Sequence, residues 1–270
     1  MRPLAIITGA SEGIGRDLAD LYASDGHDVL LVARRDAALR ALAAELEQRH
    51  GITATVVAAD LASRAGCDAV VAACAGHESR VVALVNNAGL GAVGWFHEIA
   101  WEREQVQLDV NVTALTYLTF RVLPWLRRNG RGHIMQMASV AGFQPGPLSA
   151  VYYASKAFVV SFSEALHNES IGSGVTVTAV CPGPTITGFQ RVSGVVPGAR
   201  AGGAPPMSSR AVAELAYRGT RAGKRIVYAG FRNRVASMLG RYMPRSWSAA
   251  VVRRIQRSRR TGRMSGNVAN

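Results

Sequence analysis

The feature that most constrains the fold of this 270-residue chain is a regular alternation of short apolar runs with longer segments of helical periodicity. Strands joined through helices return in the same direction and lie side by side. The pattern therefore predicts an α/β fold, with a doubly wound parallel sheet of about seven strands and helices on both faces. The runs predicted as strands are residues 4–7, 28–33, 54–59, 81–85, 132–138, 175–180 and 225–228. In such sheets ligands bind at the carboxyl ends of the strands.

A glycine-rich turn follows the first predicted strand. Residues 8–15 read Thr-Gly-Ala-Ser-Glu-Gly-Ile-Gly, and a helical stretch runs from Arg16 to about Ser24. A strand, a glycine turn and a helix in this order place backbone N–H groups and a helix N-terminus against a pyrophosphate. The glycine spacing differs from the G-x-G-x-x-G form, and a plain tight turn is the alternative interpretation.

The end of the second predicted strand bears on which dinucleotide would bind. An acidic residue there would bind the ribose hydroxyls of NAD(H), whereas Ala33 and Arg34 leave room and charge for a 2′-phosphate. This favours NADP(H). Glu12 in the glycine turn argues the other way, because a carboxylate would repel the phosphate, so NAD(H) stays open. The alternative is that Arg34 and Arg35 only begin the next helix.

Tyr152 and Lys156 form a candidate general acid–base pair. They are four residues apart, so on a helix they share one face. An ammonium beside a phenol lowers the phenol's pKa and prepares it for proton transfer near neutral pH. The alternative is an ordinary amphipathic helix. The chain holds 29 Arg and only two Lys, and a lysine in that setting indicates a site that needs a compact point charge.

Charge is distributed unevenly along the chain. Residues 1–214 hold 17 Arg and Lys against 18 Asp and Glu, whereas residues 215–270 hold 14 basic residues and no acid. We expect one catalytic domain over residues 1–230, with a substrate loop at 187–207, and a basic helical extension over 231–270. The apolar stripe of that extension either contacts a membrane surface or packs on the domain or on a partner subunit. No nucleic-acid-binding motif is present, so no nucleic-acid partner is predicted.

The cysteines and the hydropathy indicate a cytoplasmic protein, with peripheral membrane contact as the alternative. Cys67, Cys74 and Cys181 are odd in number and lack metal-ligand spacing, so we expect reduced thiols and no metal site. No apolar run is long enough for a membrane span. The apolar segment at the start is too short for a signal peptide.

Several motifs together resemble the short-chain dehydrogenase/reductase family over residues 4–228. Residues 8–15 match the family's T-G-x-x-x-G-x-G turn, and Ser139 lies thirteen residues before Tyr152. The other matching positions, in the family's order, are Asp60, Asn86-Asn87-Ala88-Gly89, Asn111, Tyr152-x-x-x-Lys156 and Pro182-Gly183. The resemblance implies a Rossmann-type fold that binds NAD(P).

The resemblance also implies roles for individual residues. Tyr152 would be the catalytic acid or base, and Ser139 would polarise the substrate carbonyl. Lys156 would lower the pKa of Tyr152 and bind the nicotinamide ribose, while Asn111 would hold a relay water. Thr187 would contact the carboxamide. The implied cofactor-binding set is Gly9, Ser11, Gly13, Ile14, Gly15, Arg34, Asp60, Leu61, Asn87, Ala88, Gly89, Tyr152, Lys156, Pro182, Gly183 and Thr187.

The expected function is therefore an NADPH-dependent oxidoreductase that interconverts a ketone or aldehyde and an alcohol. The end of the second strand resembles that of fatty-acyl and hydroxysteroid reductases, which favours an apolar small-molecule substrate. We also expect a homo-oligomer, either a dimer or a tetramer. The alternative is a non-catalytic dinucleotide-binding regulatory protein on the same fold.

Overall fold

A computed structural model describes residues 1–189, 193 and 206–261. Most of the predicted substrate loop, residues 190–192 and 194–205, lies outside the described residues. So does the end of the predicted extension, residues 262–270.

The core of the structure is a seven-stranded parallel sheet with the strand order β3-β2-β1-β4-β5-β6-β9. The strands are β1 Leu4–Thr8, β2 Asp28–Ala33, β3 Ala54–Ala58, β4 Val81–Asn86, β5 Gly132–Met137, β6 Val175–Cys181 and β9 Ile226–Tyr228. A two-stranded pair joins β7 Thr185–Ile186 to β8 Met207–Ser208. The strand order reverses between β1 and β4, and this reversal opens a crevice at the carboxyl ends of those two strands.

Helices cover both faces of the sheet, which confirms the predicted doubly wound α/β fold. Their bounds are α1 Gly13–Ser24, α2 Asp36–His50, α3 Arg64–Ala72, α4 Trp101–Leu108, α5 Leu115–Arg128, α6 Ala150–Glu169, α7 Ser209–Arg221, α8 Phe231–Tyr242 and α9 Arg245–Thr261. On one face α1, α2 and α7 bury residues such as Leu18, Leu39 and Ala213. On the other face α3 and α5 bury Val70 and Leu118.

The sequence predicts a long helical stretch from Trp101 to Arg128, in which Asn111 suggests a local kink or a polar role, and the structure interrupts the helix at that residue. A π-helical turn over Asp109–Ala114 separates α4 from α5 and carries Asn111. Asparagine is a poor residue for a helix interior because its side chain competes for backbone hydrogen bonds. π-Helical turns occur mostly as short insertions and often at functional sites.

The two C-terminal helices pack in different ways. Helix α8 turns its small residues inward, where Ser237 and Gly240 are buried next to a 3₁₀ turn at Val140–Phe143. A Cβ atom on Gly240 would lie 3.0 Å from the Oε1 atom of Gln144, so the absence of a side chain at this position favours the close approach of α8. Helix α9 buries Val252 and Gln256. None of the helices in the described part of the chain combines the length and hydropathy of a transmembrane segment.

Candidate active site

A cleft of about 920 Å³ lies at the carboxyl ends of the strands and gathers most of the predicted site residues. The predicted residues that line it are Gly9, Ser11, Gly13, Ile14, Arg34, Asp60, Leu61, Asn87, Ala88, Gly89, Ser139, Tyr152, Lys156, Pro182, Gly183 and Thr187. Two predicted residues, Gly15 and Asn111, lie behind its wall. Gly15 belongs to the glycine turn, and Asn111 belongs to the π-helical turn.

The glycine turn is shaped to receive an anion. Gly9 and Gly13 have φ angles of +67° and +58°, which glycine adopts without strain. Helix α1 begins at Gly13, three residues earlier than predicted, and its first residues, Gly13 and Ile14, line the cleft, so that the N-terminus of the helix borders it. A Cβ atom on Gly15 would lie 2.2 Å from the carbonyl oxygen of Gly9. Gly15 therefore allows the helix to pack tightly on the turn.

Thr8 ties the end of β1 to the segment after β4. Its Oγ1 atom accepts hydrogen bonds from the backbone N–H groups of Asn87 and Ala88, both at 3.0 Å, and donates to the carbonyl oxygen of Val85 at 3.1 Å. A further hydrogen bond runs in the opposite direction: the Nδ2 atom of Asn87 donates to the carbonyl oxygen of Thr8 at 3.0 Å. These bonds fix the wall of the cleft at the point where the strand order reverses.

The two arginines after β2 differ in their surroundings. The Nη2 atom of Arg35 pairs with Oε2 of Glu12 at 2.9 Å and donates to the Oγ atom of Ser11 at 3.0 Å. Arg34 is exposed at the rim of the cleft and forms no ion pair with any residue in the described ranges. The Glu12 carboxylate, whose charge would repel a 2′-phosphate, is thus paired with Arg35, whereas Arg34 remains available to bind an anion.

Lys156 is buried at the centre of the cleft wall, where its Nζ atom donates to the carbonyl oxygen of Met137 at 2.7 Å. Burial lowers the pKa of Lys156 to about 8, and the nearby thiol of Cys181 weakly opposes that change. The Nζ atom lies 5.9 Å from the centre of the Tyr152 ring. A lysine with this pKa is mostly protonated at neutral pH, so a positive charge faces the phenol.

Ser139 lies between β5 and the 3₁₀ turn that follows it. Its Oγ atom accepts a hydrogen bond from the backbone N–H of Ala141 at 3.1 Å and lies 3.5 Å from the carbonyl oxygen of Pro182. Ser139 thus caps the N-terminus of the 3₁₀ turn, and this bond holds its hydroxyl in the cleft that Tyr152 also lines. The hydroxyl hydrogen has only a long bond to Pro182, so it can turn to a closer acceptor.

Asn111 is buried behind the loop that follows β4. Its Oδ1 atom accepts from the N–H of Leu90 at 2.8 Å, and its Nδ2 atom donates to the carbonyl oxygen of Leu90 at 2.9 Å and to Oγ of Ser155 at 3.0 Å. A Cβ atom on Gly89 would lie 3.3 Å from Asn111 Oδ1 and 3.4 Å from Lys156 Nζ. Both polar atoms therefore border the same glycine, and Gly89 leaves space for them.

Aromatic side chains surround Tyr152 in the cleft. The ring of Phe189, in the predicted substrate loop, lies 5.6 Å from the Tyr152 ring, and Tyr153, which the sequence predicts as a packing or substrate contact, meets Tyr152 edge-on at 6.0 Å. The contribution of the C-terminal helices was missed by the sequence analysis. The C-terminal helices add Val235, Leu239, Val252, Ile255 and Gln256 to the lining. The Nε2 atom of Gln256 donates to the hydroxyl of Tyr153 at 3.4 Å. The helical spacing of the apolar residues in the extension was the available signal, but spacing alone does not say what a helix faces.

The cleft fits a dinucleotide: a glycine turn and a helix N-terminus could receive a pyrophosphate, with a free arginine at the adenosine end and a buried lysine at the other. Comparison with known proteins supports the same interpretation. The family model for short chain dehydrogenases matches residues 3–194. A sulfoacetaldehyde reductase of Chromohalobacter salexigens is 37% identical over 224 residues, which cover 82% of this chain and 83% of that protein.

Among the similar solved structures are two, from different organisms, that each cover 99% of this chain. One is a short-chain dehydrogenase from Sphingobium yanoikuyae in complex with NADPH, with 31% identity, a TM-score of 0.78 and 97% of its own chain covered. The other is a bulky-bulky ketone specific alcohol dehydrogenase from Comamonas testosteroni, with 28% identity, a TM-score of 0.74 and 95% covered. The family match over residues 3–194 and the likeness along the whole chain establish that this protein belongs to the short-chain dehydrogenase/reductase family of oxidoreductases.

Proposed function

We propose that this oxidoreductase interconverts an apolar ketone or aldehyde and the corresponding alcohol, with NADP(H) as its preferred cofactor. The observation that carries the proposal is that Ser139, Tyr152 and Lys156 line the same cleft as the glycine turn and Arg34. The bound cofactor would supply or accept the hydride. The chain's own residues position the substrate and move the proton.

In the reducing direction Tyr152 donates its phenolic proton to the carbonyl oxygen. Ser139 donates a hydrogen bond to the same oxygen, because its hydroxyl hydrogen is held only by a long contact to Pro182. The buried ammonium of Lys156 stabilises the phenolate that remains. In the oxidising direction the phenolate accepts the alcohol proton, and the same charges favour the reverse transfer.

The geometry also supports a route by which the phenolate is reprotonated. The Oδ1 atom of Asn111 accepts a hydrogen bond from Leu90, and an amide oxygen has a second lone pair. Because Oδ1 and Lys156 Nζ border the same glycine, Gly89, a water bonded to both would connect the lysine to the π-helical turn. Asn111 thus holds the water rather than the substrate.

The preference for NADP(H) rests on the division of roles between neighbouring arginines. Arg35 pairs with Glu12 and removes its repulsion toward a phosphate. Arg34 is then the free cation at the end of β2, where a 2′-phosphate would lie. The similar dehydrogenase from Sphingobium yanoikuyae was solved with NADPH, which agrees with this assignment.

An apolar, bulky substrate is favoured by the apolar part of the cleft lining. That part includes Phe189, Val235, Leu239, Val252 and Ile255, and cavities lined mainly by apolar residues bind apolar ligands. We infer that the described part of the basic extension, residues 231–261, serves the domain of residues 1–230 as a substrate wall. The similar enzyme from Comamonas testosteroni is named for bulky-bulky ketones.

The test is NADPH oxidation with a panel of apolar ketones, measured on the wild type, Tyr152→Phe and the adjacent control Tyr153→Phe. Both changes remove one phenolic hydroxyl and keep the ring. Tyr152→Phe should bind NADPH normally and lose turnover by about 10²–10⁴-fold, the usual contribution of a general acid. Tyr153→Phe should keep most of its turnover. Loss of activity in the Tyr153 variant alone would contradict the assignment, and no turnover by the wild type with any ketone would favour a regulatory role.

A further inference from the structure

Helix α8 exposes the large apolar residues of its stripe. Phe231 and Tyr242, at its two ends, are 78% and 80% exposed, and Met238 between them is 42% exposed. The full stripe, at helical steps of three and four residues, is Phe231, Val235, Met238, Leu239 and Tyr242. The inward face carries Ser237 and Gly240 instead. An amphipathic helix usually buries its apolar face on its own domain, so this stripe is placed to contact something else.

A basic groove lies beside the stripe. It encloses about 1100 Å³ between α7, β9 and α8, and the stripe residues Phe231, Met238 and Tyr242 form part of its wall. The cations that line it are Arg218, Lys224, Arg225, Arg234 and Arg241. Arg225 pairs with Glu164. The other four form no ion pair with any residue that the structure describes, so the groove carries a positive charge that the chain leaves unbalanced.

Charge decides which occupant fits this surface. The last 56 residues contain no acidic residue, so a second copy docked by a two-fold axis would bring arginines against arginines. A nucleic acid would satisfy the cations but not an apolar stripe. The surface of an anionic bilayer satisfies both, because apolar side chains enter the acyl boundary while arginines remain among the headgroups.

We propose that α8 and the basic groove dock this protein on the surface of a bilayer that contains anionic phospholipid, with α8 lying in the plane of the interface. Phe231, Val235 and Leu239 belong both to the stripe and to the lining of the active-site cleft. Trp247, exposed beyond the break at Pro244, extends the apolar surface. The docked face is therefore continuous with the rim of the cleft.

The experiment is sedimentation of the full chain with vesicles of phosphatidylcholine, with and without an equal part of phosphatidylglycerol. One variant removes apolar contacts, Met238→Ser with Tyr242→Ser, and a second removes charge, Arg234→Gln with Arg241→Gln. These four residues line the groove but not the cleft. The charge-matched control is Arg128→Gln with Arg131→Gln, at exposed positions of a different surface.

The wild type should sediment with the phosphatidylglycerol vesicles at low salt and should be released as salt rises. Each arginine near an anionic leaflet contributes about fivefold to the partition coefficient, so the charge variant should bind about 25-fold more weakly. The control should bind as the wild type does, and all variants should keep wild-type turnover of a water-soluble ketone. A wild type that ignores these vesicles at low salt, or an equal loss in the control, would overturn the proposal. So would a fall in oligomeric mass in the Met238 and Tyr242 variant together with unchanged vesicle binding, because the stripe would then be a subunit interface.

Discussion

Val252→Asp tests whether α9 is held against the cleft. Val252 is only 3% exposed, on the inner face of α9. Burying a valine stabilises a protein by about 1.5–3 kcal/mol, and an unpaired buried carboxylate costs several kcal/mol more. Other contacts of α9 include the 3.4 Å hydrogen bond from Gln256 to Tyr153 and the stacking of Arg253 and Arg257 over the Trp95 ring at 5.7 and 5.6 Å, where each arginine contributes about 0.5–1 kcal/mol. The carboxylate should therefore release α9, since the helix can leave without unfolding the sheet.

The matched control is Val251→Asp, which adds the same charge one residue earlier on the same helix, where the side chain is 51% exposed. Limited trypsin digestion measures the release, because Arg253 and Arg254 lie within α9. Val252→Asp should be cut in α9 much faster than Val251→Asp. It should also raise KM for an apolar ketone, because Ile255 and Gln256 leave the cleft with it.

The dissociation constant for NADPH should stay the same in both variants, because the glycine turn belongs to β1 and α1. Equal digestion rates and equal KM values for the two variants would refute the reasoning. That result would mean that α9 is not held where the structure places it.

Two further changes probe charge in the cleft. Arg34→Ala should raise the dissociation constant for NADPH about ten- to hundredfold, since a charge-assisted hydrogen bond contributes about 1.5–3 kcal/mol, and should change NADH binding little; titration of both cofactors measures this, and equal weakening would contradict a 2′-phosphate role. Lys156→Met tests whether Lys156 is buried in the folded protein. Folding lowers the pKa of this lysine from its ordinary 10.5 to about 8, so between pH 8 and 10.5 the unfolded protein binds more protons than the folded protein. The wild type should therefore gain about 3 kcal/mol of unfolding free energy between pH 8 and 10.5. Lys156→Met should lack this gain in urea denaturation, and equal pH slopes would show that the lysine is not buried as described.

The strands and the positions of the site residues could be predicted because they depend on local pattern and on a general property of parallel sheets. Apolar runs of four to seven residues mark the strands, and the carboxyl ends of parallel strands meet at one edge. Residues as distant in sequence as Gly9, Asp60 and Ser139 thus had to converge. No contact between side chains was needed for that inference.

Asn111 indicated a local kink or a polar role, but the form of that interruption, a π-helical turn, and the direction of α8 could not be predicted, because both depend on contacts between distant segments. In the π-helical turn, the side chain of Asn111 forms two hydrogen bonds with the backbone of Leu90. Nothing in the helical periodicity of residues 101–128 specifies Leu90 as the partner. Helix α8 has a clear apolar stripe, but the face that it buries carries the small residues Ser237 and Gly240, which allow a close approach to the segment around Gln144. Periodicity shows that a helix has two faces, and only packing decides which face is buried.

The structure gives a physical reason for a lysine, rather than an arginine, at position 156. The Nζ atom donates to Met137 in a buried site, and even a methyl group on Gly89 would come within 3.4 Å of it. A planar guanidinium is larger than an ammonium, and its pKa stays above neutral pH in any protein environment. Burial instead brings the pKa of this lysine to about 8, within reach of proton exchange at neutral pH. In a chain with 29 arginines and two lysines, Lys156 thus occupies a buried site that fits a compact ammonium better than a guanidinium.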